Sequence, residues 1–296
     1  ATKTYSIVIA AASLAARAQM ADYDGDGQAD FALFRDGSWN IVRSGDQQTA
    51  SPSWGATGDV ALAGDYDGDG QSDLAIFRPG NGTWFIKRSS DGGALVKAWG
   101  ARTDVPVPGD YDGDGKTDIA IFRPSEGNWY VSRSSDQQAA VTAWGMAFDV
   151  AVPGDYDGDG KTDVAVFRPA SGQWFIKQSS NGAFIVKAWG LSTDVPVASD
   201  YDGDGKTDIA VWRGAEGLWY ILRSGTSAPD VTAWGTSAAP YHDVAAPGDY
   251  DGDGQTDVTV WRAADNTWYV KHSRDGAVRA LPLGQQGDKP VLTRAQ

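Results

Sequence analysis

The amino-acid sequence predicts an all-β chain folded as a β-propeller of six four-stranded blades, seven blades being the alternative, with a surplus strand at the N-terminus. Three observations lead there. One unit of roughly 45 residues recurs six times. Each unit breaks into four short runs rich in β-branched and aromatic residues, bounded by Gly, Pro, Ser or Asp. No segment carries a sustained 3.6-residue apolar period, so no helix is expected. Residues 1–20 read as an N-terminal strand or tail, and 21–296 as a single propeller domain.

The repeat is anchored by the string Asp-Tyr-Asp-Gly-Asp-Gly-x-x-Asp, which begins at Asp22, Asp65, Asp110, Asp155, Asp200 and Asp249, with spacings of 43, 45, 45, 45 and 49. The last spacing holds a small insertion around Ala238–His242. One unit supplies a first strand in Asp104-Val-Pro-Val-Pro, a second in Thr117-Asp-Ile-Ala-Ile-Phe-Arg, a third in Asn128-Trp-Tyr-Val-Ser-Arg and a fourth in Ala140-Val-Thr-Ala-Trp-Gly. Four strands in 40–50 residues is the signature of a propeller blade.

The large side chains repeat in register. An aromatic residue followed by Arg closes each second strand: Phe34, Phe77, Phe122, Phe167, Trp212 and Trp261, then Arg35, Arg78, Arg123, Arg168, Arg213 and Arg262. Third strands hold Trp39, Trp84, Trp129, Trp174, Trp219 and Trp268; fourth strands hold Trp54, Trp99, Trp144, Trp189 and Trp234, with Leu283 in the last copy. Tryptophans recurring at one place in every copy are read as wedges between blades rather than as sugar-stacking platforms. The repeated arginine is read as a structural partner of the acidic loop or of a backbone carbonyl.

The acidic string places carboxylates at positions 1, 3, 5 and 9 of a tight turn. In order they are Asp22, Asp24, Asp26 and Asp30; Asp65, Asp67, Asp69 and Asp73; Asp110, Asp112, Asp114 and Asp118; Asp155, Asp157, Asp159 and Asp163; Asp200, Asp202, Asp204 and Asp208; and Asp249, Asp251, Asp253 and Asp257. Calcium is a hard cation that takes six to eight oxygens, and alternate residues of a turn point theirs at one centre. Glycine at position 6 permits the sharp turn, which aims the carbonyl of position 7 inward: Gln28, Gln71, Lys116, Lys161, Lys206 and Gln255. With no Glu at position 12 and no flanking helix, this is not an EF-hand. Twenty-four of the 39 acidic residues lie in the six loops, and six divalent ions would take the formal charge from −14 to −2. About six calcium ions are therefore expected, and magnesium, which prefers octahedral sites with retained water, is disfavoured.

The repeat resembles the FG-GAP/VCBS family, the blades of integrin α-subunit propellers and of many bacterial surface proteins. The resemblance rests on Val107-Pro-Gly-Asp-Tyr-Asp-Gly-Asp-Gly-Lys-Thr-Asp-Ile-Ala120 and its five siblings, and spans about residues 22–284. It implies a propeller with calcium between the first and second strands of each blade, and an extracellular or cell-surface, secreted setting. The Phe-Gly and Gly-Ala-Pro landmarks of the integrin version are mostly absent, which sets this chain closer to the bacterial form.

Composition removes several other classes. A chain of pI about 4.4 offers no basic face to nucleic acid. Cysteine is absent, and His242 and His272 are the only histidines, so thiolate and histidine-based zinc sites are not expected. No G-x-S-x-G elbow or phosphate-cradling loop occurs, and Glu126 and Glu216 sit in turn positions, so no enzyme is expected.

The ends carry extra strand-like segments. Ser6-Ile-Val-Ile-Ala-Ala-Ala12 aligns with Phe184-Ile-Val-Lys-Ala-Trp-Gly190, and Asp288-Lys-Pro-Val-Leu292 resembles a first strand. The C-terminal segment closes the ring on blade one, or a surplus strand adds to a neighbouring copy, or residues 1–18 are a signal remnant ending in Ala16-Arg17-Ala18; the apolar run there is too short to span a bilayer. The expected function is a non-catalytic, calcium-stabilised structural subunit that polymerises with other copies of itself by β-strand addition. The alternative is a glycan-binding lectin or adhesin using surface glycans, with Asp91-Gly-Gly93, Asp136-Gln-Gln138 and Asn181-Gly182 as candidate loops.

Overall fold

The structure, a computed structural model, describes residues 21–292. Six antiparallel four-stranded sheets form the blades of a propeller ring, and among the described residues there is no helix. Blade four shows the plan: Val150–Ala151, Val164–Arg168, Gln173–Lys177 and Phe184–Ala188 lie side by side in chain order. The second and third strands pair over five residues, Val164 opposite Lys177 through Arg168 opposite Gln173. Burial follows the two-residue period of a pleated strand, Trp174 and Ile176 turning inward between half-buried neighbours.

The core lies between blades rather than within them. Six apolar clusters each draw on two adjacent blades; one joins Phe77, Trp84 and Ile86 of blade two to Ile119 and Ile121 of blade three. Others repeat this around the ring, and the last joins Phe31 and Leu33 of blade one to Trp261, Trp268 and Val270 of blade six. All six third-strand tryptophans are at most 2% exposed. The fourth-strand tryptophans are half-buried, and each donates its indole N–H to the next blade: Trp54 to Phe85 O at 3.1 Å, Trp99 to Tyr130 O at 3.1 Å, Trp144 to Phe175 O at 3.0 Å, Trp189 to Tyr220 O at 3.1 Å and Trp234 to Tyr269 O at 2.9 Å. The tryptophans are thus inter-blade wedges. Burying one indole is worth roughly 4–6 kcal/mol by area, against about 1 kcal/mol net for its hydrogen bond, so burial holds the blades together and the N–H sets their register.

The repeated arginine is structural, but its partner is neither the acidic loop nor a backbone carbonyl. It clasps the aspartate that opens the first strand of its own blade. Arg78 meets Asp59, Arg123 Asp104, Arg168 Asp149, Arg213 Asp194 and Arg262 Asp243, each through two nitrogens at 2.7–2.9 Å. Each guanidinium also lies over a third-strand ring, as Arg168 does over Phe175 at 4.2 Å.

Blade one is assembled from both ends of the described chain. Its strands Phe31–Arg35, Ser38–Val42 and Thr49–Ala50 are joined by Lys289–Pro290, which pairs antiparallel with Leu33 and Phe34. The C-terminal segment is therefore not a surplus strand: it is the first strand of blade one and closes the ring. Asp288 meets Arg35 at 3.0 Å, reproducing the clasp of the other blades, and the Val291 N–H bonds Ala32 O at 2.8 Å as the Val197 N–H bonds Ala210 O. The count is six blades, not seven. The expected N-terminal strand, residues 5–11, lies outside the described residues.

Val291 and Val197 occupy matching positions and are 4% and 0% exposed. Truncating either to Ala removes two buried carbons and should cost about 2 kcal/mol. We expect Val291→Ala and Val197→Ala to lower the melting temperature by similar amounts. A shift for Val197→Ala with none for Val291→Ala would mean that the closing strand is not docked in solution.

Candidate metal centres

Each acidic turn is shaped by its own carboxylates bonding backbone N–H groups. In the first loop Asp22 accepts from Gly25 at 2.7 Å and Gly27 at 2.9 Å, which folds positions 1–6 around one carboxylate. Position 6 glycines have φ near +85°, the left-handed region that favours glycine, as the sequence pattern required. Asp30 at position 9 accepts from the Tyr23 N–H at 2.6 Å, closing the turn.

The carboxylates of positions 1, 3 and 9 converge. Ligand oxygens of Asp22, Asp24 and Asp30 lie within 4.8 Å of one another, as do those of Asp65, Asp67 and Asp73, of Asp110, Asp112 and Asp118, and of Asp155, Asp157 and Asp163. The position 5 carboxylates, Asp26, Asp69, Asp114, Asp159, Asp204 and Asp253, accept the N–H of position 7 at 2.8–2.9 Å. The position 7 side chains lean onto the preceding loop; Lys116 donates to Asp67 O at 2.8 Å, and its aliphatic stem covers Gly68.

Sequence reasoning missed a second layer of each site, the hairpin between the third and fourth strands. Its serine, Ser44, Ser89, Ser134, Ser179, Ser224 or Ser273, gives its N–H to the position 9 carboxylate at 2.6–2.7 Å. The same serine gives its hydroxyl to the position 5 carboxylate at 2.8–3.0 Å. In blades two, three and four the next residue is also serine and bonds the position 3 carboxylate at 2.6 Å. The signal lay in the sequence as a serine sixteen residues beyond Asp73, Asp118, Asp163, Asp208 and Asp257, and fourteen beyond Asp30.

Loop meets loop around the ring. The N–H of position 8 donates to the position 1 carbonyl of the preceding loop: Ser72 to Asp22, Thr117 to Asp65, Thr162 to Asp110, Thr207 to Asp155, Thr256 to Asp200 and, across the closure, Ala29 to Asp249, all at 2.6–2.7 Å.

The electrostatics are those of carboxylates crowded out of water. Burial pushes Asp30 and Asp118 up to about 7, and Asp73, Asp163, Asp200, Asp208 and Asp249 up to about 6; neighbouring aspartates add to the rise and backbone hydrogen bonds oppose it. In blades one and five, where Gly45 and Gly225 replace the second serine, Oδ1 of Asp24 and of Asp202 is buried without a hydrogen-bond partner. A buried, unpartnered carboxylate oxygen is costly, and a cation bound by several oxygens would satisfy it. The donor set of three converging carboxylates fits a hard divalent ion.

The other candidates are ordinary turns. Asp91 and Asp136 are held by Arg88 and Arg133 three residues earlier, and Asn181 accepts the Ala183 N–H at 2.7 Å. Glu126 bonds the Tyr130 hydroxyl at 2.5 Å and Glu216 the Tyr220 hydroxyl at 3.5 Å, both at the solvent-exposed surface. Among the described residues no helix is long and apolar enough to cross a membrane.

No curated protein matches the sequence. Among solved structures, the chain is similar to a lectin from Agrocybe aegerita that recognises non-reducing terminal N-acetylglucosamine, with 19% identity, a TM-score of 0.59 and coverage of 89% of this chain and 79% of that one. It is also similar to TolB from Acinetobacter baumannii, at 16% identity, a TM-score of 0.60 and coverage of 91% and 67%. A catalytically inactive virginiamycin B lyase from Staphylococcus aureus follows at 8% identity, a TM-score of 0.54 and coverage of 89% and 87%. At these identities the likeness is one of fold. The model of the FG-GAP-like repeat matches residues 65–121, 110–166 and 200–277, and that of the FG-GAP repeat matches 149–186. With its six acidic turns lying in register around one ring, the chain belongs to the FG-GAP repeat family.

Proposed function

We propose that this chain is a non-catalytic, calcium-stabilised extracellular propeller that assembles with further copies of itself by β-strand addition. The calcium reading is supported by the oxygen-only clusters of positions 1, 3 and 9 in the first four loops; in this reading the carboxylate of position 5 and the carbonyl of position 7 would complete the set. The ion supplies the positive charge that lets buried carboxylates stay ionised. An extracellular setting is supported by the repeat family.

One observation carries the assembly reading: the fourth strand of blade four, Phe184–Ala188, is exposed at all five residues and presents Phe184, Ile185 and Val186 in succession. A flat apolar edge strand is a template for another strand. Most other outer edges are blunted. Blade one ends in the two-residue Thr49–Ala50, blade five opens its edge with Pro229 and Asp230, and blade six carries Arg279 and Pro282. Blade two, with Ala94–Ala98 bearing Leu95 and Val96, is the second candidate edge. The donor is the Ser6-Ile-Val-Ile sequence of a neighbouring copy, which matches the pattern of Phe184-Ile-Val-Lys.

A glycan-binding reading has one observation in its favour, an open depression of about 660 Å³ at blade five, lined by Asp202, Asp204, Arg223, Thr226 and Asp230 among others. The Agrocybe aegerita lectin lends it a precedent on the same fold. A glycan array separates the readings: retention of a defined sugar, lost in Arg223→Ala, would favour a lectin.

Thermal unfolding tests the metal reading. Calcium should raise the melting temperature, and chelator should lower it. The pH dependence in chelator has a definite sign. Folded carboxylates raised to 6–7 bind more protons than the unfolded chain, so their stabilising contribution is complete below about pH 4 and is lost as pH rises through 6–7. Calcium needs the ionised form, so its increment should grow over the same window. A calcium increment that is absent, or that shrinks from pH 5 to 7, would sink the reading.

Sedimentation velocity in calcium tests assembly. The full chain should form polymers that grow with concentration, while the Phe184→Lys/Val186→Lys variant and a chain lacking residues 1–15 should sediment as monomers. A full chain that stays monomeric at every concentration would overturn strand addition.

A further inference from the structure

The six acidic loops are alike in sequence, but the residue ahead of the hairpin serine is not. It is Arg43, Arg88, Arg133, Gln178, Arg223 and His272 in blades one to six. Arg43, Arg88, Arg133 and Arg223 turn away from the loop to the hairpin carboxylates of Asp46, Asp91, Asp136 and Asp230. His272 turns the other way. Its Nδ1 lies 3.2 Å from Asp257 Oδ2 and 3.5 Å from Asp251 Oδ2, and its side chain is only 16% exposed. Ligand atoms of Asp251, Asp257 and His272 fall within 4.8 Å of one another, so an imidazole nitrogen joins the position 3 and 9 carboxylates. A second difference lies beside it. Arg274 stands where blades two, three and four place a serine; it donates to Asp251 O at 3.2 Å and holds its guanidinium 3.8 Å from Asp251 Oδ1.

Arg274 sets its charge against any divalent ion, calcium included, while His272 discriminates by ligand type. Calcium takes oxygen ligands, and its affinity falls as the charge count of the site falls. Imidazole suits zinc, copper, nickel and their neighbours, which accept mixed nitrogen and oxygen sets. We propose that the sixth loop is a transition-metal site, holding a nitrogen-preferring divalent ion through His272 Nδ1, Asp251 and Asp257, while the other five loops take calcium. The proposal rests on the reading that the loops hold divalent cations. It gives the ring one site whose occupant differs from the rest.

Cobalt(II) is the probe, added to the full chain in saturating calcium at pH 7.5. The chain has two histidines, and His242 lies exposed in the insertion, so the imidazole NMR spectrum contains its own control. One equivalent of cobalt should shift or broaden the His272 ring signals and leave those of His242 unchanged. His272→Arg installs the residue found in four sister blades; it should bind cobalt at least tenfold more weakly and keep its calcium-dependent melting temperature. His272→Gln, the blade four residue, should behave likewise. Cobalt that leaves His272 undisturbed, or that binds the His272→Arg variant equally well, overturns the proposal. A melting temperature indifferent to calcium fails the underlying reading instead, whatever cobalt does at His272.

Discussion

The first aspartate of each acidic turn holds two structures together at once. Its carboxylate gathers the N–H groups of positions 4 and 6, and its carbonyl accepts the position 8 N–H of the next loop. Six such bonds run head to tail and return to their start, so the acidic turns and the ring are one hydrogen-bonded object. The contact is tight enough to dictate composition on both sides. A Cβ added at Gly109 would sit 2.7 Å from the Thr162 hydroxyl, and one at Gly154 would sit 2.7 Å from that of Thr207. Where the small residue is instead Ser199, its hydroxyl bonds Thr256 at 2.7 Å; where the facing residue is Ala29, Gly248 meets a methyl group. Anything that fixes one turn therefore limits its two neighbours.

The seam between blades six and one obeys different chemistry from the other five. Leu283 replaces the tryptophan that elsewhere donates to the next blade, and Asn40 replaces the ring on which the arginine lies. The indole N–H of Trp268, which would follow its siblings to the neighbouring carbonyl, is buried without a partner. Compensation comes from shape. Phe31 takes a place held by Leu74, Ile119, Val164, Ile209 and Val258 in the other blades, stacks on Tyr250 at 4.7 Å and meets Trp268 edge-on at 5.4 Å. A lost hydrogen bond of about 1 kcal/mol is offset by aromatic contacts of about 0.5–1.5 kcal/mol each. The seam is held by packing and by the Ala29 N–H bond to Asp249 O, while the Arg35–Asp288 clasp and the paired Lys289–Pro290 strand complete blade one beside it.

Much of this was legible in the sequence because repetition converts local pattern into global arrangement. Blade number, strand order, the wedge role of the tryptophans and the converging aspartates all follow from motifs that recur at one spacing. What escaped were contacts between segments far apart in each unit. The arginine reads in sequence as a partner of the acidic loop or of a backbone carbonyl, yet its aspartate lies 19 residues upstream, across the loop, at the mouth of the first strand. The hairpin serines looked like turn residues because serine is common in turns; only the curl of the blade brings Ser134 over Asp118 and Asp114. The closing strand was visible as a fragment that could complete blade one, but Asp288–Leu292 alone does not decide between ring closure and a surplus strand.

Repeated units also make departures informative, since five copies serve as the reference for the sixth. A histidine beside two carboxylates in an unrelated protein would pass as an ordinary hydrogen bond. Here the same register holds an arginine in four blades, each turned toward its hairpin carboxylate, so the inward turn of His272 is a difference in chemistry on a constant backbone. The outer edges follow the same logic. The ring uses every first strand internally, and the third strands are covered on both sides, so the fourth strands are where one blade can differ from another without disturbing closure. That is where Phe184, Ile185 and Val186 are exposed. The constraint that makes the blades alike near their acidic turns thus leaves variation between blades to the rim.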